Sequence, residues 1–367
     1  MLDKAKLTDN IEQMNAKAAA HGVRLRPHLK TAKCAAIASM FNNDNKQQPI
    51  TVSTLREAEY FADAGFVDIL YAVSIEPGKF ARLSKLYQRG VVVTVILDAL
   101  PVAQALCEYA LEHQVTLSVM IEIDVDGHRA GVKPDAESLL QLANLLESAA
   151  NIQFAGLMTH GGGSYDCQSI EEVRTHADLE QAGILRAAKR CREAGMNITT
   201  VSIGSTPTVV AARGFNDIDE IRPGVFVFFD LFQMQLGICA LEQIALSVLC
   251  SVITHKTEEN CIIVDAGGLA LSKDRSTQGT SQDYHYGLVA DLSGKPIAPP
   301  VNVTDVNQEH GIIHLPAELS CEHFPIGQRL RIFPNHACMT AAAYEGYVVL
   351  DTKQDAALEY WGRCNGW

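Results

Sequence analysis

Apolar positions in the first 230 residues come as short, nearly unbroken runs separated by longer stretches with helical spacing. Eight runs read as strands: 24–29, 49–53, 67–73, 91–97, 115–123, 152–158, 198–203 and 222–229. They show little polar alternation, as expected of parallel strands covered on both faces. Ahead of them, residues 8–22 read as a helix, capped by Thr8 or Asp9, lined on one face by Ile11, Met14 and Ala18, and ended by Gly22. Helical patterns at 34–42, 54–64, 77–88, 100–112, 136–148, 171–194 and a short 206–214 fall between the strands. Strand then helix, repeated eight times, predicts an α/β fold with a (β/α)8 TIM-like barrel over residues 8–230. A doubly wound sheet is the rival, but no Gly-x-Gly-x-x-Gly follows the first strand.

After Asp230 the rhythm changes. Residues 242–253, 260–265, 329–333 and 346–350 are strand-like, and the segments between them are rich in Gly, Pro, Asp and His. Residues 231–367 therefore predict a mostly antiparallel β domain, with 292–300 as a hairpin or loop.

Composition narrows the class. The chain has 367 residues, 47% hydrophobic and 20% charged, enough for one large and one smaller domain. No apolar run is long enough to span a bilayer, and the first ten residues carry no apolar core of a secretion signal. A net charge of −13 argues against nucleic-acid binding. Ten cysteines without a Cys-x-x-Cys pair fit a reduced, cytoplasmic enzyme better than a disulfide scaffold.

Against that acidic background, Arg26-Pro-His28-Leu-Lys30-Thr-Ala-Lys33 crowds four basic side chains into eight residues. Such crowding favours a nearby anion and lowers a lysine pKa, which suits imine formation; a basic surface turn is the plainer alternative. Ligands in a barrel sit at the C-terminal strand ends. That rule nominates Lys30, then Arg129 beyond strand five, His160 and its three glycines after strand six, Gly204-Ser205-Thr206 after strand seven, and Arg222 with Gly224 at strand eight. Gly204-Ser205-Thr206-Pro207 offers backbone N–H groups to a phosphate. The glycines after His160 let backbone approach a flat ring, on which His160 or Tyr165 can pack. A lysine and a phosphate cradle at one barrel mouth together suggest pyridoxal phosphate (PLP). In the β domain, His336-Ala-Cys338 supplies one imidazole and one thiolate, a plausible zinc pair; Cys321-Glu322-His323 is a rival cluster. Asp265-Ala-Gly-Gly268 followed by Lys273-Asp274 reads either as a turn after a strand or as a lid over the barrel mouth, and Asp305–Gly311 as a polar turn able to face the site.

Arg26-Pro-His-Leu-Lys30-Thr, Glu122-Ile-Asp-Val-Asp-Gly-His-Arg129-Ala-Gly, Thr159-His160, Gly204-Ser-Thr-Pro207, Asp265-Ala-Gly-Gly, Gln308-Glu-His310-Gly311 and Pro334-Asn-His336-Ala-Cys338 together resemble the fold-type III PLP enzymes, with their alanine racemase-like fold. Within these, the set is similar to the D-serine dehydratase and D-threonine aldolase group, over essentially the whole chain. The resemblance implies that Lys30 forms the imine, that Gly204, Ser205 and neighbouring Thr206 hold the phosphate, and that Arg129 lies beside the ring. It also implies that His336 and Cys338 bind a divalent metal, zinc first, with manganese or magnesium as alternatives. A homodimer follows from it too, the β domain of one subunit closing the barrel mouth of the other. Two departures stand out. The group's second histidine after the imine lysine is Ala32 here, leaving Lys30, His160 or His310 as the base. The group's opening strand, which joins the second domain, is shortened, and residues 1–7 are assigned to that domain.

These features predict β-elimination from a D-3-hydroxy amino acid such as D-serine, giving a 2-oxo acid and ammonia. Lys30 takes the Cα proton and the metal assists hydroxide departure. Retro-aldol cleavage, as in D-threonine aldolases, would use the same parts; within the group a cysteine at the second metal position looks dehydratase-like. Racemisation needs no metal and would leave His336 and Cys338 unexplained.

Overall fold

The computed structural model describes residues 1–41, 48–351 and 357–367. It divides into two units. One comprises Gln13–Gly224 with Cys364–Trp367, the other Met1–Glu12 with Val225–Arg363.

In the first unit the apolar runs become eight parallel strands: Arg24–Leu25, Ile50–Val52, Asp68–Ser74, Val92–Leu97, Leu117–Ile123, Ile152–Thr159, Thr200–Ile203 and Glu220–Ile221. They hydrogen-bond in sequence from second to eighth, and the first pairs with the eighth. The ring closes where Thr51 N donates to Pro27 O (2.9 Å) and Leu29 N donates to Thr51 O (2.8 Å). Pro27 has no N–H to give, which keeps the first ladder short. Leu70, Ile96, Met120 and Met158, from strands three to six, pack together as a buried cluster.

The helices follow the predicted spacing with local adjustments. Thr54 caps Leu55–Asp63 by accepting from Glu57 N, and Ser169 caps Ile170–Glu193 in the same way. The first helix, Lys4–Ala20, starts earlier than predicted. Asp3, not Thr8 or Asp9, accepts the first-turn N–H of Lys6 (3.1 Å), while Thr8 donates to Lys4 O inside the helix. The segment predicted as a helix over 34–42 forms Ala35–Ser39; position 42 lies outside the described residues.

The eighth strand is a correction. The run 222–229 looked like the strand, but Glu220–Ile221 pairs in the barrel and Val225–Val227 is a buried 3-10 turn. A short apolar run cannot distinguish a buried strand from a buried turn, and Pro223 removes a ladder donor between the two segments.

In the second unit six antiparallel strands form one sheet, in the order Leu288–Ala290, Arg329–Phe333, Val248–Lys256, Cys261–Val264, Gly311–His314 and Asp305–Val306. Its buried face carries Val252, Ile262, Val289, Ile313 and Ile332. A second sheet joins Leu2–Asp3, Gly346–Asp351 and Ala357–Gly362, with Leu2 opposite Val349 in parallel register. The predicted strand 242–253 begins later, at Val248, behind a 3-10 turn at Leu241–Gln243. At the start of 292–300 the chain makes a tight turn, closed by Asp291 N donating to Lys295 O (2.9 Å). Two glycine motifs prove to be one joint: a Cβ on Gly267 would sit 2.4 Å from Gln308 O and 2.5 Å from His310 N. Among the described residues no helix is long and apolar enough to cross a membrane.

Candidate active site

The basic cluster at residues 26–33 separates into four different environments. Arg26 is buried and donates through Nε to Glu220 (2.7 Å) and through Nη1 to Asp68 (2.7 Å). Lys33, at φ 47°, places Nζ 3.0 Å from the fully buried Glu57, which also accepts from Ser53 N (3.2 Å) and Ser53 Oγ (2.9 Å). His28 is held well below its ordinary pKa by burial, then by Lys30 and Arg222, and is therefore neutral. Lys30 lines a cavity of about 300 Å³ with Ser53, Ser74, Glu122, His160 and Arg222. These residues stand at the C-terminal ends of the strands, and the volume is that of a small-molecule site.

His160 follows the sixth strand. Its Nδ1 lies 2.8 Å from Gly204 O, a group that can only accept, so Nδ1 carries the proton and Nε2 the lone pair. Burial, then Lys30, pushes the imidazole down to about 3, leaving a neutral ring. Gly204 has φ 142°, and a Cβ there would meet Arg222 N at 2.7 Å, so only glycine fits. Its N–H donates to Glu180 Oε1 (3.2 Å). Both backbone groups of Gly204 are thus engaged inside the protein, and the residue acts as a spacer.

Ser205 and Thr206 are buried behind the cavity wall. Ser205 caps Thr206–Ala211 through a reciprocal bond with Thr208, and its Oγ lies 3.2 Å from Ser164 Oγ. Thr206 Oγ1 accepts from Gly224 N (3.1 Å). Tyr165 ends the Gly162–Tyr165 turn, its ring centroid 6.3 Å from that of His160 and off the cavity wall.

Arg222, nominated by its strand-end position, and Glu180, given no role by the sequence reading, organise this region. Arg222 is buried, and burial lowers its pKa to about 10; it donates to Ser202 Oγ (2.5 Å) and to Thr159 O. Glu180 is buried beneath both glycine turns and accepts from Gly161 N (2.7 Å) as well as Gly204 N. It interrupts the stripe Val173, Ala177, Ile184, Ala187 on the buried helix face, the one sequence signal that could have found it.

Arg129 is more than half exposed at the cavity rim, with Nη2 3.6 Å from Glu122 Oε1. Burial raises the Glu122 carboxyl above its ordinary range. Asp126, on the same loop, accepts from Gly163 N (2.9 Å) and contacts His176 Nε2 (3.1 Å), tying the Arg129 loop to the His160 turn. A primary amine, a neutral flat ring and a buried guanidinium around one cavity fit a phosphorylated aromatic aldehyde.

In the β unit, His336 opens the helix Ala337–Ala341 and its Nδ1 lies 2.8 Å from Asp274 Oδ2. Cys338 is its other side-chain hydrogen-bonding neighbour. Burial opposes the charged ring, but the bond to Asp274, then Cys338 and Asp230, raises its pKa to about 11. Groups that hold a proton on an imidazole so firmly also suit a cation, and one nitrogen with one thiolate is a donor pair for zinc. Among the described residues no set of three or more His, Cys, Asp or Glu forms a metal cage. In the rival cluster, Cys321 Sγ lies 3.5 Å from Cys261 O and His323 Nδ1 accepts from Ser320 N (2.9 Å), so both side chains have local partners. His310 is exposed in the turn before Gly311–His314.

Comparison with known proteins matches residues 2–231 to the family model "Alanine racemase, N-terminal domain" and residues 245–350 to "Putative serine dehydratase domain". The chain is 41% identical to the D-threo-3-hydroxyaspartate dehydratase of Delftia sp. (strain HT23), over all of this chain and 97% of that protein. It is 34% identical to the D-serine dehydratase of Dictyostelium discoideum, over 94% and 90%. Among solved structures, a cysteine-to-alanine variant of D-threo-3-hydroxyaspartate dehydratase, in its metal-free form, superposes with a TM-score of 0.94 at 40% identity, covering 100% of this chain and 97% of that one. With family models over both parts of the sequence and a relative of this identity along its whole length, the chain belongs to the fold-type III PLP enzymes, as a lyase of the group that holds the D-serine and D-threo-3-hydroxyaspartate dehydratases and the D-threonine aldolases.

Proposed function

We propose that this lyase dehydrates a D-3-hydroxy amino acid to a 2-oxo acid and ammonia, using pyridoxal 5'-phosphate and a divalent cation. One observation carries the reading: of the basic groups at 26–33, Arg26 and Lys33 are ion-paired, His28 is neutral, and Lys30 lines the cavity beside His160 and Arg222. The sequence points to a D-3-hydroxy amino acid, with D-serine as its example. The relative at 41% identity is named for D-threo-3-hydroxyaspartate, which makes that compound the first to test and D-serine the second.

Lys30 and His160 would hold the ring end of the cofactor, with Arg129 at the rim and Tyr165 behind His160. The phosphate end would lie at the Gly204 turn, with Gly204 as the close-approach spacer and Ser205 and Thr206 behind it. The Gly204 and Ser205 N–H groups already donate to Glu180 and to Thr208 Oγ1, so they would reach a phosphate only by exchanging those partners. Bound PLP supplies the electron sink for a carbanion at Cα. The Lys30 amine would take the Cα proton. His160 is a poor acceptor because burial holds it near 3, so the histidine missing at Ala32 is not replaced by His160. His310 remains the alternative acceptor. A divalent cation on His336 and Cys338, zinc by preference for thiolate, supplies the charge stabilisation that hydroxide departure needs. The working form is a homodimer.

The test is a product assay with D-threo-3-hydroxyaspartate, D-serine and D-threonine, on protein stripped of metal and then reconstituted. Oxaloacetate or pyruvate with stoichiometric ammonia, dependent on metal, is expected. Glycine plus an aldehyde, with no 2-oxo acid, would replace this reading with the aldolase one. Light scattering on the eluting protein checks the dimer.

A further inference from the structure

His336 is bracketed by two side chains, Cys338 and the carboxylate of Asp274. A carboxylate accepts only, so Nδ1–H donates to Asp274 Oδ2 and the ring lone pair falls on Nε2. Asp274 is itself fixed. Its Oδ1 accepts from Ser276 N (2.9 Å) and from Ser276 Oγ, and its own N–H donates to Ser272 Oγ (3.0 Å). Ser272 holds φ 74°, a conformation that non-glycine residues adopt only where surrounding structure imposes it.

The segment carrying Asp274 is latched to the segment carrying His336 at two further points. Thr277 Oγ1 donates to Asn335 Oδ1 (2.6 Å) and Thr340 Oγ1 donates to Leu271 O (2.9 Å), both buried. A separate element grips the same backbone: Asp230 Oδ2 accepts from Ala337 N (2.9 Å), while Leu231 N and Phe232 N donate to Pro334 O and Asn335 O. An adventitious ion pair would need no such support. Orientation of an imidazole is what this support provides.

We infer that Asp274 is the positioning residue of His336, fixing its tautomer and ring direction so that Nε2, together with Cys338, receives the divalent cation. The inference rests on the metal reading proposed above. Carboxylates behind ligating histidines typically change metal affinity by about 10–100-fold.

The experiment measures zinc affinity of the cofactor-loaded protein by competition with a chromophoric chelator, for wild type, D274A, D274N, H336A and C338A. D274A is expected to bind zinc about 10–100-fold more weakly. D274N, which keeps an acceptor facing Nδ1, should lose less. Cobalt-substituted D274A should retain the thiolate-to-cobalt charge-transfer band, because Cys338 is untouched. Activity of D274A should recover at excess metal, and metal-free D274A and D274N should melt with the metal-free wild type. Wild-type zinc affinity in D274A, alongside loss in H336A and C338A, overturns the role of Asp274 alone. Equal zinc affinity in wild type, H336A and C338A overturns the metal reading and this inference with it. If both Asp274 variants melt lower without metal by as much as they lose in zinc binding, Asp274 is structural and the inference fails.

Discussion

Glu180 gives the sharpest test of how the barrel mouth is held. Its Oε1 accepts two backbone N–H groups, from Gly161 and Gly204, and its Oε2 is buried without a hydrogen-bond partner. Glu180→Ala orphans both donors. At roughly 1–3 kcal/mol for each unsatisfied buried group, the cost is about 2–6 kcal/mol, an upper range because the turns can relax. Glu180→Gln keeps the shared acceptor and replaces only the orphaned oxygen, so its cost should be below about 1 kcal/mol. The two variants also differ in pH response. Burial raises the Glu180 carboxyl above its ordinary pKa despite the N–H groups and the nearby Thr208 hydroxyl. The folded state therefore keeps this proton to higher pH than the unfolded chain does. The stability contribution is fully present below the unfolded pKa and declines as pH rises through the folded one. Glu180→Gln removes that decline, so wild type minus variant should fall from pH 4 upward and then level. Urea unfolding followed at several pH values between 4 and 8, with PLP affinity from the imine absorbance, measures both effects. Equal damage from Gln and Ala, or a pH-independent difference, would refute the reasoning.

Two further outcomes follow from buried charges. Lys33→Met strands the fully buried Glu57 with only its Ser53 and Thr54 partners, at a cost of about 3–5 kcal/mol, and adding Glu57→Gln should recover much of it; a double-mutant cycle with coupling near zero would contradict the pairing. His160 titrates near 3 when folded and at the ordinary imidazole value when unfolded, so the unfolded chain takes up the proton first and stability falls as pH drops between those values. The slope is about 1.4 kcal/mol per pH unit; unfolding of His160→Asn should lack it, and an unchanged slope would mean that the ring is not held neutral.

The strand–helix rhythm was legible because parallel strands covered on both faces are apolar throughout, and Val92–Leu97 and Leu117–Ile123 fall almost where the runs place them. Strands of two to four residues, such as Leu288–Ala290 and Asp305–Val306, were not, since alternation needs more positions than they contain. The site residues were nominated by strand-end position, which locates a residue but not its partners. Sequence could not say that Lys33 belongs to Glu57, that Gly204 presents its N–H inward to Glu180, or that Asp274 stands against His336, because each bond joins segments 24 to 62 residues apart. The apolar stretch after Arg222 misled for the opposite reason: hydrophobicity reports burial, and burial here belongs to a turn.

Leu2–Asp3 opposite Val349 and Leu350 carries a consequence for biogenesis. Leu2–Asp3 also bonds to the 245–247 segment, where Asp3 N donates to Ala245 O (2.9 Å), but its parallel ladder must wait for Gly346–Asp351 to be made. At roughly 5–20 residues per second that delay is on the order of 20–70 s. Cys364, whose N–H donates to Lys33 O (2.8 Å) within the barrel unit, is made later still. Both units therefore wait on late segments, and the nascent chain carries an unfilled sheet edge through that interval, a period in which holding chaperones should matter more to yield than they do for refolding of the finished chain.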